Sequence, residues 1–326
     1  MFFYSFIIPV YNRPEEIAEL LGSLTRQTLN TFEVLIVEDG SDQTCKKEVD
    51  RFTDKLDIHY YFKENTGQGF SRNYGFERAK GDYFIVFDSD CILPEHYLKT
   101  VDDHLTKQPL DAFGGPDRAE ESFTIVQKAI NYSMTSIFTT GGIRGNKKHA
   151  GTFHPRSFNM GISRAVYDKT GGYIITRMGE DIEFSIRIIK AGFNVGLIED
   201  AFVYHKRRTS ISQFFKQLHF FGRARINVSR FYPKELKLVH FLPLLFLVGW
   251  VVIIIAWFVY QPLALAGLGL AAIYYWFLFI DSTIKNGSLI IGLLSLVIAT
   301  VQLIAYALGM VTELFNKQQV QAKKNQ

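Results

Sequence analysis

Residues 81–90 read GDYFIVFDSD, an apolar run followed directly by two aspartates. Its apolar run, Tyr83–Phe87, predicts a strand buried on both faces, and the strand leads into Asp88-Ser89-Asp90. Side chains two apart on a strand share a face, so Asp88 and Asp90 are predicted to converge on one cation. Mg²⁺ and Mn²⁺ bound to a diphosphate prefer hard oxygen ligands, including one or two carboxylates. The triplet therefore predicts a Mn²⁺ or Mg²⁺ site, and a solvated turn is the competing interpretation.

Three other apolar runs before this stretch predict strands, and helices alternate with them. The strands are Tyr4–Val10, Phe32–Val37 and Ile58–Phe62. Asn12 can cap a helix that has Pro14 in its first turn. A second helix is predicted over residues 68–80, ended by Gly81. This alternation predicts an α/β fold with a mostly parallel sheet and helices on both faces.

Polar residues follow three of the predicted strands. The clusters are Pro9-Val10-Tyr11-Asn12, Glu38-Asp39-Gly40-Ser41 and Asp88-Ser89-Asp90. In open parallel sheets, ligands bind beyond the carboxyl ends of the strands. The sequence therefore predicts one nucleotide-type binding site at this edge, lined by Pro9, Tyr11, Asn12, Asp39, Asp88 and Ser89.

Two further carboxylates, Glu180 and Asp181, begin another predicted helix. Its apolar face consists of Ile182, Ile186 and Ile189, and Gly192 ends it. The helix dipole favours acids in a first turn, so a purely structural role is one interpretation. The functional interpretation is a general base within reach of an acceptor hydroxyl. The sequence does not separate Glu180 from Asp181 in that role.

Taken in order, these segments resemble the family 2 glycosyltransferases, which have the Rossmann-like GT-A fold. The matching pieces lie within roughly residues 4–225 and are FIIPVYN (6–12), VEDGS (37–41), NTGQGFSRNYG (65–75), GDYFIVFDSD (81–90), NMG (159–161) and GED (179–181). The family more often has two aspartates where this chain has Glu38-Asp39. Because Asp39 occupies the position that matters, the resemblance implies the same nucleotide site.

The resemblance also implies individual roles. Tyr11 would stack on or line the base pocket, and Asp39 would bind the base. Arg72 would face the nucleotide. Asp88 would contact the ribose or the sugar, and Asp90 would hold the metal. The competing interpretations are a core aromatic for Tyr11 and a surface salt bridge for Arg72.

Two more roles follow from the same resemblance. Asp181, with Glu180 beside it, would be the catalytic base of a transfer that inverts the anomeric centre. In several relatives a histidine at the position of His205 is a third metal ligand, and imidazole would favour Mn²⁺ over Mg²⁺. A surface histidine ahead of three basic residues is the alternative for His205.

The composition changes after residue 235. Residues 241–280 and 286–312 contain no Asp, Glu, Lys or Arg. A helix of that first length would be about 60 Å long, twice the hydrocarbon core, so the run is predicted to fold back at Gln261-Pro262. We expect two to three transmembrane helices near 240–260, 263–280 and 288–311. Asp281 and Lys285 are placed in a loop, since a charge at mid-bilayer costs about 2.5–3.5 kcal/mol. A buried hairpin in a soluble protein is the alternative.

The predicted organisation has three parts. A GT-A domain over 1–235 ends in a basic amphipathic interfacial segment at about 206–235, a membrane domain covers 236–312, and a polar tail covers 313–326. The basic segment precedes the first span, so the positive-inside rule places the catalytic domain in the cytoplasm, on a multi-pass protein of the inner membrane. Nucleic-acid binding is the rival interpretation of this charge, and it is not predicted. With three spans, the basic C-terminal tail would lie on the side of the membrane opposite the catalytic domain, which the positive-inside rule disfavours.

The main hypothesis is an inverting transfer from a nucleotide-diphosphate sugar to an acceptor hydroxyl on a glycan or, more specifically, a lipid-linked acceptor. Such a step belongs to cell-envelope polysaccharide or glycolipid synthesis. A polyprenyl-phosphate glycosyltransferase is the first alternative, although an anionic phosphate needs little help from a base. A non-catalytic membrane sugar-binding protein is the second. The glycine-rich, basic segment 139–152 is predicted to be a mobile loop over the donor or acceptor.

Overall fold

The computed structural model describes residues 1–118, 123–140, 153–206 and 208–316. These residues form two compact units. The α/β unit contains residues 1–118 and 153–206, and the helical unit contains residues 123–140 and 208–316. The predicted loop at 139–152 lies outside the described residues from position 141 onward.

The elements alternate as the sequence predicts. The strands are β1 (Tyr4–Val10), β2 (Phe32–Asp39), β3 (Ile58–Lys63), β4 (Tyr83–Phe87), β5 (Cys91–Ile92), β6 (Ala112–Gly114), β7 (Asp117–Arg118), β8 (Asn159–Ser163), β9 (Val195–Leu197) and β10 (Val203–His205). The helices are α1 (Pro14–Leu24), α2 (Lys46–Asp50), α3 (Gln68–Phe76), α4 (Tyr97–Lys107), α5 (Ile125–Thr135), α6 (Ile137–Thr140), α7 (Arg164–Thr170), α8 (Glu180–Lys190), α9 (Ile211–Phe231), α10 (Leu242–Val259), α11 (Gln261–Asn286) and α12 (Leu289–Phe315).

The main sheet has seven strands in the order β3-β2-β1-β4-β8-β6-β9. Strand β8 runs antiparallel to β4 and β6, and the remaining pairs are parallel. Phe6 and Ile8 of β1 enter the hydrophobic core on one face, while Ile7 enters the core on the other. The mostly parallel α/β fold is thus confirmed, with apolar layers on both faces of the sheet. A second, three-stranded sheet has the order β5-β10-β7.

Two local predictions in the α/β unit were wrong. Asn12 does not cap α1: its backbone has φ 52°, its backbone N–H donates to Ser41 Oγ (2.8 Å), and its Oδ1 accepts from the Gln43 N–H (3.0 Å). Helix α3 ends at Phe76, four residues before the predicted end. The Lys80 N–H donates instead to Glu33, so the chain has already turned toward the sheet.

The helical unit contains three helices that are long and apolar enough to cross a membrane, over Leu238–Val259, Gln261–Asn286 and Leu289–Phe315. Asp281 and Lys285 lie inside α11 and not in a loop, which corrects that prediction. At 26 residues, α11 is about 39 Å long and exceeds the hydrocarbon core, so its last turns can lie beyond the apolar layer. The two charges also pair across one helical turn, at 2.9 Å.

Helix α9 packs on protein along the face that the sequence assigns to the membrane interface. Phe214 and Leu218 are buried against residues of α5 and α12. Glu313 of α12 is fully buried and pairs with Arg223 and Arg230 of α9, each at 2.9 Å. Residues 208–235 therefore group with the helical unit, whereas the predicted domain boundary counts them with the catalytic part.

Candidate active site

The predicted ligand edge of the sheet carries the expected residues. Pro9 lies in β1, beside Val37 of β2, and Tyr11 follows the strand with 49% of its surface exposed. A core position for Tyr11 is therefore wrong. Ser89 is buried in the turn after β4. The Asn12 side chain joins the loops after β1 and β2, so it shapes this edge through backbone contacts.

Asp39 ends β2 and organises the loop before α3. Its Oδ1 accepts the Thr66 N–H and its Oδ2 accepts the Gly67 N–H, both at 2.9 Å, and Lys63 forms an ion pair with it. Burial alone would raise the pKa of Asp39, but the bonds from Lys63 and Thr66 outweigh it and hold the pKa below its ordinary value. Asp39 is therefore a charged group whose oxygens already hold the loop at residues 66–67.

The side chain of Glu38, at the position where the family more often has aspartate, is enclosed by hydrogen-bonding groups of the protein. It is fully buried and accepts hydrogen bonds from the Ser41 hydroxyl, from the Cys45 N–H at 2.7 Å and from the Tyr60 hydroxyl at 3.0 Å. The longer side chain of glutamate reaches these partners below the edge of the sheet. The exchange therefore leaves the neighbouring Asp39 in place.

Arg72 lies in the interior and not on the surface, which excludes a surface salt bridge. Its side chain is 1% exposed, and it donates to Asp88 Oδ1 at 2.8 Å and to Glu180 Oε1 at 3.2 Å. The guanidinium lies over the Tyr173 ring, 5.4 Å from its centroid. Burial alone lowers the pKa of Arg72, but the surrounding Tyr173, Asp88 and Glu180 raise it well above its ordinary value. Arg72 therefore links two segments that are far apart in the sequence.

Asp88 and Asp90 have different partners, and the alternation of a strand does not govern them because β4 ends at Phe87. Asp88 pairs with Arg72. Asp90 Oδ1 lies 3.1 Å from His205 Nε2, and its Oδ2 lies 2.8 Å from Arg13 NH1. The strand geometry from which we predicted that both carboxylates bind one cation is therefore absent at this turn.

The potential metal ligands at this site are Asp90, Cys91 and His205, whose ligand atoms lie within 4.8 Å of one another. Strand β10 brings His205 here, because it pairs antiparallel with β5 and sets His205 opposite Cys91. The imidazole is largely buried and stacks on Phe158, with ring centroids 5.1 Å apart, so His205 is not a surface histidine. A carboxylate oxygen beside an imidazole nitrogen is a donor set that suits Mn²⁺.

The charge of Asp90 is secured by its neighbours. Burial alone would raise the pKa of Asp90, but His205 and Arg13 hold it well below its usual range. An ionised carboxylate is the form that a metal requires. Arg13 was not singled out by the sequence, although it directly follows Tyr11-Asn12 at the same strand end.

Glu180 and Asp181 begin α8 as predicted, after Met178 and Gly179 in left-handed conformations. Glu180 is buried, and the Gln68 side chain donates to it together with Arg72. Burial and the adjacent Asp181 raise the pKa of Glu180, and Arg72 opposes them. Asp181 is more accessible, and Arg156 NH1 lies 3.2 Å from its Oδ2. No motif in the sequence pointed to Arg156.

The fold and this cluster of carboxylates and arginines are those of a GT-A transferase. The family model for glycosyl transferase family 2 matches residues 5–171. An uncharacterized glycosyltransferase of Haemophilus influenzae is 30% identical over 220 residues, which cover 64% of this chain and 70% of that protein. Glycosyltransferase AglE of Haloferax volcanii is 26% identical over 254 residues, covering 76% and 81%. The chain belongs to the family 2 glycosyltransferases.

Solved structures agree on the fold. The mannosyltransferase PcManGT from Pyrobaculum calidifontis, in complex with GDP-Man and Mn²⁺, superimposes with a TM-score of 0.64 at 16% identity, covering 97% of this chain and 88% of that one. TarS 1-349 of S. aureus, in complex with UDP-GlcNAc, gives a TM-score of 0.50 at 20% identity, covering 69% and 67%. The GT-A fold and the glycosyltransferase class are thus confirmed.

Proposed function

We propose that this glycosyltransferase moves a sugar from a nucleotide-diphosphate donor to an acceptor hydroxyl in a single inverting displacement. The observation that carries the proposal is the position of Asp181, an accessible carboxylate at the start of α8. Its neighbour Glu180 is joined through Arg72 to Asp88 of the donor-side triplet. The residue next to the proposed base is therefore connected to the donor-side triplet by two charge-assisted hydrogen bonds.

The donor would lie at the carboxyl edge of the sheet. Similar structures bind GDP-Man and UDP-GlcNAc, which supports a nucleotide-sugar as the donor. The exposed ring of Tyr11 is available to stack on a base, and Asp39 would bind the base from the loop it organises. Asp88 would contact the ribose or the sugar, with Pro9, Asn12 and Ser89 lining the same edge.

A divalent metal would be held by Asp90 and His205, with Asp88 on the donor side. When bound, Mn²⁺ or Mg²⁺ supplies positive charge that stabilises the leaving diphosphate. Arg13 pairs with Asp90, so this arginine is placed to contact the diphosphate. Arg72, being buried, would act through Asp88 as a positioning residue.

Asp181 Oδ2 would accept the proton of the acceptor hydroxyl. As that oxygen attacks the anomeric carbon, the bond from this carbon to the diphosphate oxygen breaks, and the electron pair leaves with the nucleoside diphosphate. One displacement of this kind inverts the anomeric configuration. Glu180 is less suited to the step, because its carboxylate is enclosed by Arg72 and Gln68.

A lipid-linked acceptor at the cytoplasmic face of the inner membrane is part of the proposal. The three apolar helices support membrane association. The chain also leaves the α/β unit after β7, contributes α5 to the helical unit, and returns before β8. The glycan built from this lipid would belong to the cell envelope.

A polyprenyl phosphate is the second candidate acceptor, and one contact favours it. Arg156 stands beside Asp181 with part of its side chain exposed, and an arginine at the acceptor side suits an anionic phosphate. A phosphate oxygen needs no base, so Asp181→Asn would then retain most of the activity while Arg156→Gln would lose it.

The first experiment uses the full chain in detergent. Nucleoside diphosphates are screened by thermal shift with Mn²⁺. Nucleotide-sugars of the nucleotide that stabilises the protein most are then supplied together with hydroxyl or phosphate acceptors. NMR of the product's anomeric signal reports inversion or retention. Stabilisation by a nucleoside diphosphate, followed by an inverted product, is expected. A product with retained configuration, or stabilisation by no nucleotide, would overturn the proposal.

A further inference from the structure

A second group of ligand-type side chains lies at the other end of β2. Glu33 is the second residue of that strand, six positions before Asp39, which places it about 20 Å from the nucleotide edge. Asp57 precedes β3 and His59 lies within it. The parallel pairing of β2 with β3 sets His59 opposite Leu35, and the Val34 N–H donates to the Asp57 carbonyl at 2.8 Å. The backbone thus brings three ligand types to one spot.

Glu33 is a fully buried carboxylate that is only half satisfied. Its Oε1 accepts the Ser5 hydroxyl at 2.7 Å and the Lys80 N–H at 2.6 Å. Its Oε2 is equally buried but receives no hydrogen bond from any residue that the structure describes. Leaving a buried carboxylate oxygen without a hydrogen bond is energetically costly. The oxygen points toward His59 and Asp57.

The imidazole of His59 faces both carboxylates without forming a hydrogen bond to either. Its Nε2 lies 3.3 Å from Glu33 Oε2 and 3.4 Å from Asp57 Oδ1. The same Nε2 is buried and, among the described residues, lacks a partner with hydrogen-bond geometry. His59 Nε2 is therefore close to both carboxylate oxygens, but neither oxygen lies in the direction in which an N–H group at Nε2 would point.

The two distances from His59 Nε2 match those between ligand atoms around a tetrahedral ion. With metal–ligand bonds of about 2.0–2.1 Å, two ligand atoms of a tetrahedron are about 3.3–3.4 Å apart. All three ligand atoms lie within 4.8 Å of one another. The side chains of His59 and Asp57 are 31% and 59% exposed, so an ion can enter and solvent can complete its coordination.

We propose that Glu33, Asp57 and His59 form a second divalent-cation site, of the zinc type, which stabilises the start of β2 against β3. One imidazole nitrogen and two carboxylate oxygens suit Zn²⁺, and the hydrogen bonds from Ser5 and Lys80 to the other Glu33 oxygen hold that side chain in place. The site is separate from Asp90 and His205, and its role is structural. A protonated imidazole paired with both carboxylates is the competing state.

The test measures metal uptake by the chelator-treated full chain in detergent. Co²⁺ is used as a spectroscopic substitute for Zn²⁺, since its visible absorption reports tetrahedral coordination. The variants are His59→Gln, Asp57→Asn, and Glu33→Gln, which keeps the Oε1 acceptor; His96→Gln is the matched control at an exposed histidine. We expect tetrahedral bands that Zn²⁺ displaces in the wild type and in His96→Gln. Affinity for Co²⁺ should fall at least about tenfold in the three ligand variants, because even residues that only hydrogen-bond to a ligand contribute about 10–100-fold.

Thermal stability gives the second measurement and separates the two states. Zn²⁺ should raise the melting temperature of the wild type but not that of His59→Gln, whose Mn²⁺-dependent nucleotide binding should be unchanged. Equal Co²⁺ spectra for the wild type and His59→Gln would overturn the proposal. So would a melting temperature that Zn²⁺ leaves unchanged and that falls as the imidazole loses its proton, since that is the signature of the ion-pair state.

Discussion

Glu180 and Asp181 are consecutive residues, yet their carboxylates are bound by different arginines. Arg72 NH1 lies 3.2 Å from Glu180 Oε1, and Arg156 NH1 lies 3.2 Å from Asp181 Oδ2. The Glu180 side chain is 5% exposed and that of Asp181 is 19% exposed. Because an acceptor hydroxyl must reach the base, the proposed function gives the two residues separate roles: Asp181 would transfer the proton and Glu180 would hold Arg72.

Asp181→Asn is expected to lower turnover about 10²–10⁴-fold, the usual contribution of a general base, while leaving donor binding intact. Single-turnover kinetics and nucleotide-induced thermal shifts, measured on the same preparation, check both halves. Glu180→Gln is the control, and it should reduce the melting temperature more than Asp181→Asn does. An active Asp181→Asn beside a stably folded but inactive Glu180→Gln would reverse the two roles.

Arg72→Met should destabilise the α/β unit by about 3–5 kcal/mol, because removing one partner of a buried ion pair leaves the other charge uncompensated. Both Asp88 and Glu180 lose a hydrogen bond in this variant. Denaturant unfolding of the full chain in detergent measures the change in free energy. Lys99→Gln, in α4, is the control: its pair with Asp103 is exposed on both sides and should contribute about 0–1 kcal/mol. Equal losses in the two variants would show that Arg72 is not the buried link described here.

The positions of the site residues followed from the sequence, but their partners did not. Strand ends are local signals, so Tyr11, Asp39 and the triplet after β4 could be placed on one edge. The pairing of Asp90 with His205 spans 115 positions and depends on the short strands β5 and β10, which no periodicity reveals. Asp88 and Asp90 also have different partners, because β4 stops at Phe87 and strand alternation does not reach them. The end of a strand is its least predictable part.

The helical unit shows the same limit. Apolar runs are long-range averages, so three membrane-length helices could be predicted from composition. The packing of α9 against other helices could not be predicted, because an amphipathic face suits a membrane interface and a protein surface equally well. Phe214 and Leu218 meet α5 and α12, and the buried Glu313 explains two of the basic residues that the sequence assigned to lipid headgroups.

His205→Gln should weaken the preference for Mn²⁺ over Mg²⁺, because it removes a nitrogen donor and leaves oxygen ligands. Calorimetric binding of a nucleoside diphosphate in each metal gives the ratio of affinities. Asp90→Asn should lose the metal dependence altogether, since the carboxylate is the charged ligand of the group. His96→Gln, at an exposed position, should keep the wild-type ratio. An unchanged ratio in His205→Gln would remove His205 from the metal site.

Asp39→Asn should reduce stability at neutral pH and flatten its acid dependence. The pKa of Asp39 in the folded chain lies below its unfolded value of about 3.9, so its contribution is present above that value and is lost as pH falls through the folded pKa. The difference between wild type and variant should therefore narrow below about pH 4. Melting temperatures across this range measure it, with the exposed Asp54→Asn as control. A difference that stays constant with pH would mean that the charge of Asp39 is not what the loop requires.

Gly222→Ala should destabilise the helical unit, because α9 and α12 meet backbone to backbone at this glycine. A Cβ at Gly222 would clash with the carbonyl oxygen of Tyr306 and lie 2.9 Å from the Met310 nitrogen, and neither atom can rotate away. Overpacking of this kind costs about 1–3 kcal/mol.

Gly249→Ala is the matched control in α10, since no atom of the described residues lies within 4 Å of its added Cβ. Alanine favours a helix over glycine by about 0.5–1 kcal/mol, so this variant should melt at the wild-type temperature or slightly above it. Both are measured by tryptophan fluorescence of the full chain in detergent. If Gly222→Ala melted like Gly249→Ala, α9 would not be seated on α12, and its basic face would again be available to a membrane.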